Sequence, residues 1–172
     1  LVVGSHVGKT SAQLAALLAA CPGLIQVEVA VDALLQPSTR AATEARCIQE
    51  LDTHLPAGRS VVLFTSRRLI AGATAEQSLA IGETVSRSLV QIVRSLRTRP
   101  RWLVAKGGIT SSDTATRALG LRRALILGQA QPGVPVWQAG AESKWPGLAY
   151  VVFPGNVGGT DDLARLVSAL LG

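Results

Sequence analysis

The chain has 172 residues, 48% of them hydrophobic, with a mean hydropathy of +0.33, which suits one domain with a sizeable core and excludes disorder on composition. The net charge of +6 and pI near 10.4 suit a polyanionic ligand. The arginines (Arg40, Arg46, Arg59, Arg67, Arg68, Arg87, Arg94, Arg97) are scattered without interleaved aromatics, which favours a solvated surface over a nucleic-acid interface. No apolar run approaches the roughly 18 residues of a membrane span, so no membrane partner is expected.

The elements follow in chain order. Val2 to Ser5 reads as a strand, and Thr10 to Ala20 as a helix stopped by Pro22 and Gly23. Leu24 to Val31 reads as a strand. Ser38 and Thr39 are candidate caps for a helix to about His54, ended by Pro56 and Gly58. Ser60 to Thr65 is a buried strand. Ala75 to Thr98 has long helical periodicity and is closed by Pro100. Arg101 to Ala105 is a strand, with a helix expected to begin near Ser111. Leu121 to Leu127 and Val134 to Gln138, joined by a Pro-Gly turn, read as an antiparallel hairpin. Ala149 to Phe153 is the last strand, and Asp161 to Leu171 the last helix. This alternation predicts a single α/β domain with a mostly parallel or mixed central sheet flanked by helices.

Cys21, Cys47, His6 and His54 lack metal-ligand spacing, so no metal site is expected and a reduced, cytoplasmic protein is. No signal peptide is recognisable. The sequence has no methionine and opens within a strand, so further residues are expected upstream.

Three glycine-bearing loops fall at expected strand ends, where open α/β sheets bind their ligands. The first, Gly4-Ser-His-Val-Gly-Lys-Thr10, has Gly-Lys-Thr but is one residue short of a phosphate-binding P-loop, so Lys9 is not expected to act as a P-loop lysine. Ser5 is the candidate ligand residue there. The second, Lys106-Gly-Gly-Ile-Thr-Ser-Ser-Asp113, offers Gly107 and Gly108 for close backbone approach. Ile109, Thr110 and Ser111 follow, with hydroxyls as short donors and Ser111, Ser112 or Asp113 as helix caps. Lys106 is positioned to neutralise phosphate charge, or to be merely solvated. The third, Phe153-Pro-Gly-Asn-Val-Gly-Gly-Thr160, offers Gly155, Asn156, Gly158 and Gly159, with Asp161 and Asp162 read as caps facing away. Arg67 or Arg68 is positioned to meet an anion or solvent. No catalytic dyad or triad emerges.

Lys-Gly-Gly-Ile-Thr-Ser-Ser-Asp (106–113), Leu-Gly-Gln-Ala-Gln-Pro-Gly-Val-Pro-Val-Trp (127–137) and Val-Val-Phe-Pro-Gly-Asn-Val-Gly-Gly (151–159) together resemble the C-terminal nucleotide-binding domain of the four-carbon acid sugar kinase family. The opening Val-Gly-Ser with Thr10 and Gln13 resembles that domain's start. The resemblance covers essentially the whole chain. It implies ATP, with Mg²⁺, as phosphoryl donor to an acid of the threonate, erythronate or 3-oxo-tetronate type, at its terminal hydroxyl. It also implies a separate N-terminal domain that holds the acid. By resemblance, Ser5, the segment Gly108 to Ser111 and Gly155 contact ATP. The catalytic base is not identifiable and is expected on the other domain; self-association is left open. The rival classes are a non-enzymatic nucleotide-sensing module and a basic nucleic-acid-binding domain.

Overall fold

In the computed structural model, which describes residues 1–68 and 70–172, one seven-stranded sheet carries helices on both faces. The chain runs β1 (Val2–Val3), α1 (Gly8–Ala20), β2 (Ile25–Val29), α2 (Val31–Leu35), α3 (Pro37–His54), β3 (Val61–Thr65), α4 (Ala75–Ser95), β4 (Trp102–Lys106), α5 (Gly108–Asp113) with a π-helical turn (Thr114–Ala118), the hairpin β5 (Ala124–Gln131) and β6 (Val134–Ala139), β7 (Ala149–Phe153) and α6 (Asp162–Leu171). Strand order is β2-β3-β1-β4-β7-β6-β5. The first five are mutually parallel; β6 runs antiparallel to β7, and β5, antiparallel to β6, returns to the direction of the first five. The mixed α/β sheet expected from the sequence is therefore present.

The strands explain themselves by burial. Val61–Thr65 is buried at every position, as a central parallel strand covered on both faces must be. Side-chain alternation splits the core in two. Val2, Leu63, Val85, Leu89, Ile92 and Tyr150 pack on one face with α3 and α4; Val3, Leu14, Phe64, Val104, Phe153 and Leu163 pack on the other with α1 and α6. α4 starts where the Thr74 side chain accepts the Gln77 N–H, a regular N-cap. It stops at Ser95 rather than Thr98, where the Lys144 ammonium takes the Val93, Arg94 and Leu96 carbonyls.

Other boundaries moved for identifiable reasons. β1 is only two residues, because the chain turns away at Gly4 to reach α1. Val31 opens the short helix α2 rather than extending β2. α3 begins at Pro37, suited to a first helical position, and neither Ser38 nor Thr39 caps it. β5 starts at Ala124, not Leu121. Its residues are exposed apart from Gln131, for it forms the uncovered edge of the sheet; Leu125, Ile126 and Leu127 are 62%, 61% and 54% exposed.

The topology places a switch point at β1. From β1 the chain crosses by α1 to β2 on one side, and from β3 by α4 to β4 on the other. Such a reversal opens a crevice at the carboxyl ends of the two strands. Those ends are the first and second glycine loops.

Leu63, 1% exposed, and Leu125 give a contrast that tests this layering. Leu63→Ala is expected to destabilise by about 2–5 kcal/mol, and Leu125→Ala by under about 0.5 kcal/mol, in denaturant unfolding.

Candidate functional site

Three loops meet at the carboxyl end of the sheet, and the glycines show how closely. A Cβ built on Gly155 would lie 3.4 Å from Ser5 Oγ and 3.8 Å from Gly107 Cα, so one residue of the third loop touches both others. A Cβ on Gly4 would lie 2.4 Å from Thr110 Oγ1 and 2.7 Å from Leu89 Cδ1. Gly107 has φ +118°, and its Cβ would lie 2.9 Å from Ser5 Cβ. Gly108 differs: its φ is ordinary and nothing lies within 4 Å of its Cβ position.

The third loop is fastened by its carbonyls. Lys106 Nζ donates to Pro154 O (2.6 Å) and Gly155 O (3.1 Å), and Thr10 Oγ1 also donates to Gly155 O (3.3 Å). Lys9 Nζ donates to Asn156 O (3.1 Å), and Gln13 Nε2 to Val157 O (3.0 Å) and Gly159 O (2.8 Å). In a planar trans peptide the N–H points opposite to the C=O. Pinning these carbonyls toward α1 and β4 turns the N–H groups of Gly155, Asn156, Val157 and Gly158 the other way. Among the described residues none of those N–H groups donates. The Gly159 N–H does, to Asp162 Oδ2. Gly158, at φ +80°, has its Cβ position 2.7 Å from that same oxygen and is required by the turn into α6, whereas at Gly159 a Cβ would meet Asp162 only at an ordinary 3.9 Å.

Two further sets of donors flank the switch point. α1 begins at Gly8 after Val7, and α5 at Gly108 after Gly107; neither start has a side-chain cap or an acidic residue in its first turn. Open helix starts present N–H groups and a partial positive charge to an anion. α5 runs straight into the π-helical turn and ends at Leu119 and Gly120, the latter at φ +65°.

The hydroxyls are assigned differently from the sequence expectation. Ser111 Oγ donates to Ala105 O (2.7 Å), and the Ser111 carbonyl accepts from the Tyr150 hydroxyl (2.7 Å). Thr110 is buried with Oγ1 toward Gly4. The Ser111 hydroxyl is thus spent on packing the loop, whereas the Thr110 hydroxyl makes no hydrogen bond among the described residues. The caps expected at Ser111, Ser112 or Asp113 do not form, because the helix begins earlier; Asp113 instead accepts from Ser86 and Arg117. Ser5 Oγ accepts from Val7 N (3.4 Å) and lies 3.3 Å from Thr10 Oγ1, whose single proton is shared between Ser5 Oγ and Gly155 O. Ile109 is 71% exposed beside the loops.

Lys106 is not solvated; it is fully buried, with Nζ 4.4 Å from the Phe153 ring centroid. Arg67 donates from Nη2 to Ser5 O (2.8 Å) and Ser11 Oγ (2.6 Å), while its Nε and Nη1 are buried without a partner among the described residues. Burial holds this guanidinium below its ordinary pKa. Arg68 is exposed. The ion pairs, Arg46–Glu50, Arg87–Glu83, Arg117–Asp113 and Arg165–Asp162, include none of Lys9, Arg67 and Lys106. Among the described residues, the loop end therefore carries cations tied to carbonyls and hydroxyls and ion-paired with no carboxylate.

Sequence reading found the loops, Ser5 and the glycines, and missed what Thr10, Gln13, Ser11 and Arg67 do. The available signal was that Thr10 and Gln13 are polar, three residues apart, on a helix face otherwise built of alanine and leucine; both are fully buried. Among the described residues no group of three His, Cys, Asp or Glu side chains could hold a metal ion. A cleft of about 570 Å³ lies at the opposite end of the sheet, lined by Leu1, Leu24, Arg59, Arg101, Trp102 and Leu170. It sits at the amino ends of the strands, away from the switch point.

Donors at a switch point, two open helix starts and unopposed cations define a nucleotide-binding α/β domain. The family described as the nucleotide-binding C-terminal domain matches residues 1–163, and this chain belongs to it. This agrees with the resemblance carried by the three loops. Among solved structures, a domain-of-unknown-function protein from Bordetella bronchiseptica, crystallised with citrate as a domain-swapped dimer, is 22% identical with a TM-score of 0.77, over 97% of this chain and 39% of that one. A protein of the same domain family from Haemophilus influenzae is 17% identical with a TM-score of 0.68, over 99% and 40%. The chain thus spans about two fifths of the length of these structures, and at such identities they show the fold alone. No curated protein matches.

The close approaches separate two kinds of glycine. Gly4→Ala is expected to lose about 1–3 kcal/mol by overpacking against Thr110 and Leu89. Gly108→Ala, with ordinary φ and open space, is expected to keep or slightly raise stability. Chemical denaturation of the two variants decides this.

Proposed function

We propose that this chain is the ATP-binding half of a kinase that phosphorylates a four-carbon sugar acid, of the threonate, erythronate or 3-oxo-tetronate type, at its terminal hydroxyl. The observation that carries the polyphosphate part is the set of outward N–H groups and uncompensated cations at the switch point. The donor and acceptor classes rest on the family resemblance. On this reading Gly108, Ile109, Thr110 and Ser111 supply backbone at the start of α5, Ser5 supplies a hydroxyl, and Gly155 and Asn156 supply N–H groups; Gly107 permits the approach, and Gly158 and Gly159 shape the loop.

Among the described residues no cluster of three His, Cys, Asp or Glu side chains stands at the loops to hold Mg²⁺. Mg-ATP is therefore written as the substrate, with the ion carried by the phosphates. Phosphoryl transfer relies on positioning and charge neutralisation, which these loops are built to give. At the first loop the His6 ring engages Ser66 O through Nε2 (2.9 Å), and, following the family resemblance, the base and the sugar-acid site are assigned to a separate N-terminal domain. The exposed Leu125, Ile126 and Leu127 of β5 offer an edge for self-association, in keeping with the dimer of the Bordetella relative. The predicted place of action is cytoplasmic; among the described residues no helix is long and apolar enough to cross a membrane.

The 172-residue chain is expected to bind Mg-ATP in calorimetry and to give no turnover with any four-carbon acid in a coupled ADP assay. Turnover by this chain alone would overturn the assignment of the base to another domain.

Gly108→Val is expected to remain folded, because its φ is ordinary and its Cβ faces open space, and to lose at least about tenfold in ATP affinity, about 1.4 kcal/mol. Gly120→Ala, at φ +65° away from the loops, is expected to lower the melting temperature and leave affinity unchanged. A folded Gly108→Val protein that binds ATP like the parent would remove the phosphate-cradle assignment.

A further inference from the structure

Lys106 ends β4 at the middle of the sheet, beside Val3 of β1 and Phe153 of β7. It is fully buried on the face shared by Val104 and Phe153, beneath α1. Taking an ammonium out of water is unfavourable unless its donors and charge are satisfied. Here the donors reach two consecutive carbonyls of the third loop, Pro154 O and Gly155 O, and the Phe153 ring, but no carboxylate. A methionine would fill the same space without the penalty. What only a lysine supplies is a donor that ties the third loop to the root of the second, together with a positive charge behind both.

We infer that Lys106 is a positioning residue that locks the second and third loops in phosphate-binding register, and that its uncompensated charge couples polyphosphate binding to the uptake of a proton. This rests on the nucleotide-binding reading and deepens it. Burial first, and the Lys9 charge on α1 second, push the Lys106 ammonium down to about 8. The other titratable and charged groups around the loops are His6, on the first loop with Nε2 2.9 Å from Ser66 O, Arg67 behind that loop, the exposed Arg68, and Asp161 and Asp162 at the start of α6, the latter held by the Gly159 N–H and Arg165. A polyphosphate nearby favours the protonated form and raises that pKa.

The direction follows by linkage. Below about pH 7 Lys106 is protonated in both free and bound protein, and binding takes up nothing through it. Above about pH 8 the free protein has largely released that proton and the bound protein regains it, so affinity falls as pH rises through this window. The phosphate's own second ionisation, near a pKa of about 6, lies outside it.

The test is calorimetry of Mg-ADP and of Mg-ATP, at pH of about 6.5 and about 8, in buffers of different ionisation enthalpy, which reads proton uptake directly. The parent is expected to take up on the order of half a proton at the higher pH and almost none at the lower. Lys106→Met, lacking donors and charge, is expected to bind at least tenfold more weakly. Lys106→Gln, which keeps two N–H donors without the charge, is expected to fall between, and neither variant to take up a proton. Melting curves establish that each variant is folded. A parent that binds without pH-dependent uptake, uptake that persists in either folded variant, or a folded Lys106→Met within twofold of the parent overturns the role of Lys106. Should Lys106→Met fail to fold, the parent's uptake and Lys106→Gln still decide. A parent that binds neither ligand instead removes the nucleotide-binding reading itself.

Discussion

The binding end of this molecule depends on which way a few peptide units face. A peptide bond is flat, with its donor and acceptor on opposite edges, so a side chain that captures a carbonyl also aims the next N–H. Lys106, Thr10, Lys9 and Gln13 capture the carbonyls of the third loop from below. They thereby fix a run of outward N–H groups that the loop's own residues have no means of fixing. The loop lacks regular structure because its hydrogen bonds have been reassigned from backbone partners to side chains of α1 and β4. The three lysines of the chain are used alike: Lys9 and Lys106 hold this loop, and Lys144 holds the end of α4.

The glycines serve this arrangement for different reasons. Gly4 and Gly107 are where loops come too close for a Cβ, whereas a Cβ at Gly155 would sit in ordinary contact with Ser5 and Gly107. Gly107 and Gly158 also need positive φ, which a larger residue takes up only with strain. Gly108 has neither constraint, and its open side faces away from the protein. A glycine that nothing in the fold requires, at the first position of an uncapped helix, is the one most simply explained by a ligand.

The sheet was legible because its central strands are continuous apolar runs, and the edge hairpin because Pro132 and Gly133 break the pattern between two extended stretches. α2 was not, since Val31 to Leu35 is as apolar as the strand before it, and five residues carry too little periodicity to separate helix from strand. The loops could be found from glycine spacing alone. The roles within them could not. Ser111 read as a ligand donor, but its hydroxyl is taken by Ala105 O, and Thr110 is turned toward Gly4, a matter of where those residues lie in space. Lys106 read as solvated because strand-end lysines usually are. Its burial follows from β7 and α1 closing over it, which are distant in sequence.

The same geometry argues for a division of labour. Phosphate binding favours a surface without opposing negative charge, and among the described residues Lys9, Arg67 and Lys106 pair with no acid. A carboxylate placed among them as a general base would be drawn into ion pairs, its pKa lowered and its basicity lost, while it weakened the attraction for phosphate. On the proposed reading, transfer to a hydroxyl needs both functions, and one surface cannot be tuned for both at once. Carrying the base on a second body lets it approach the phosphates only together with the acceptor. The nucleotide site is then free to be as one-sided in charge as this one is.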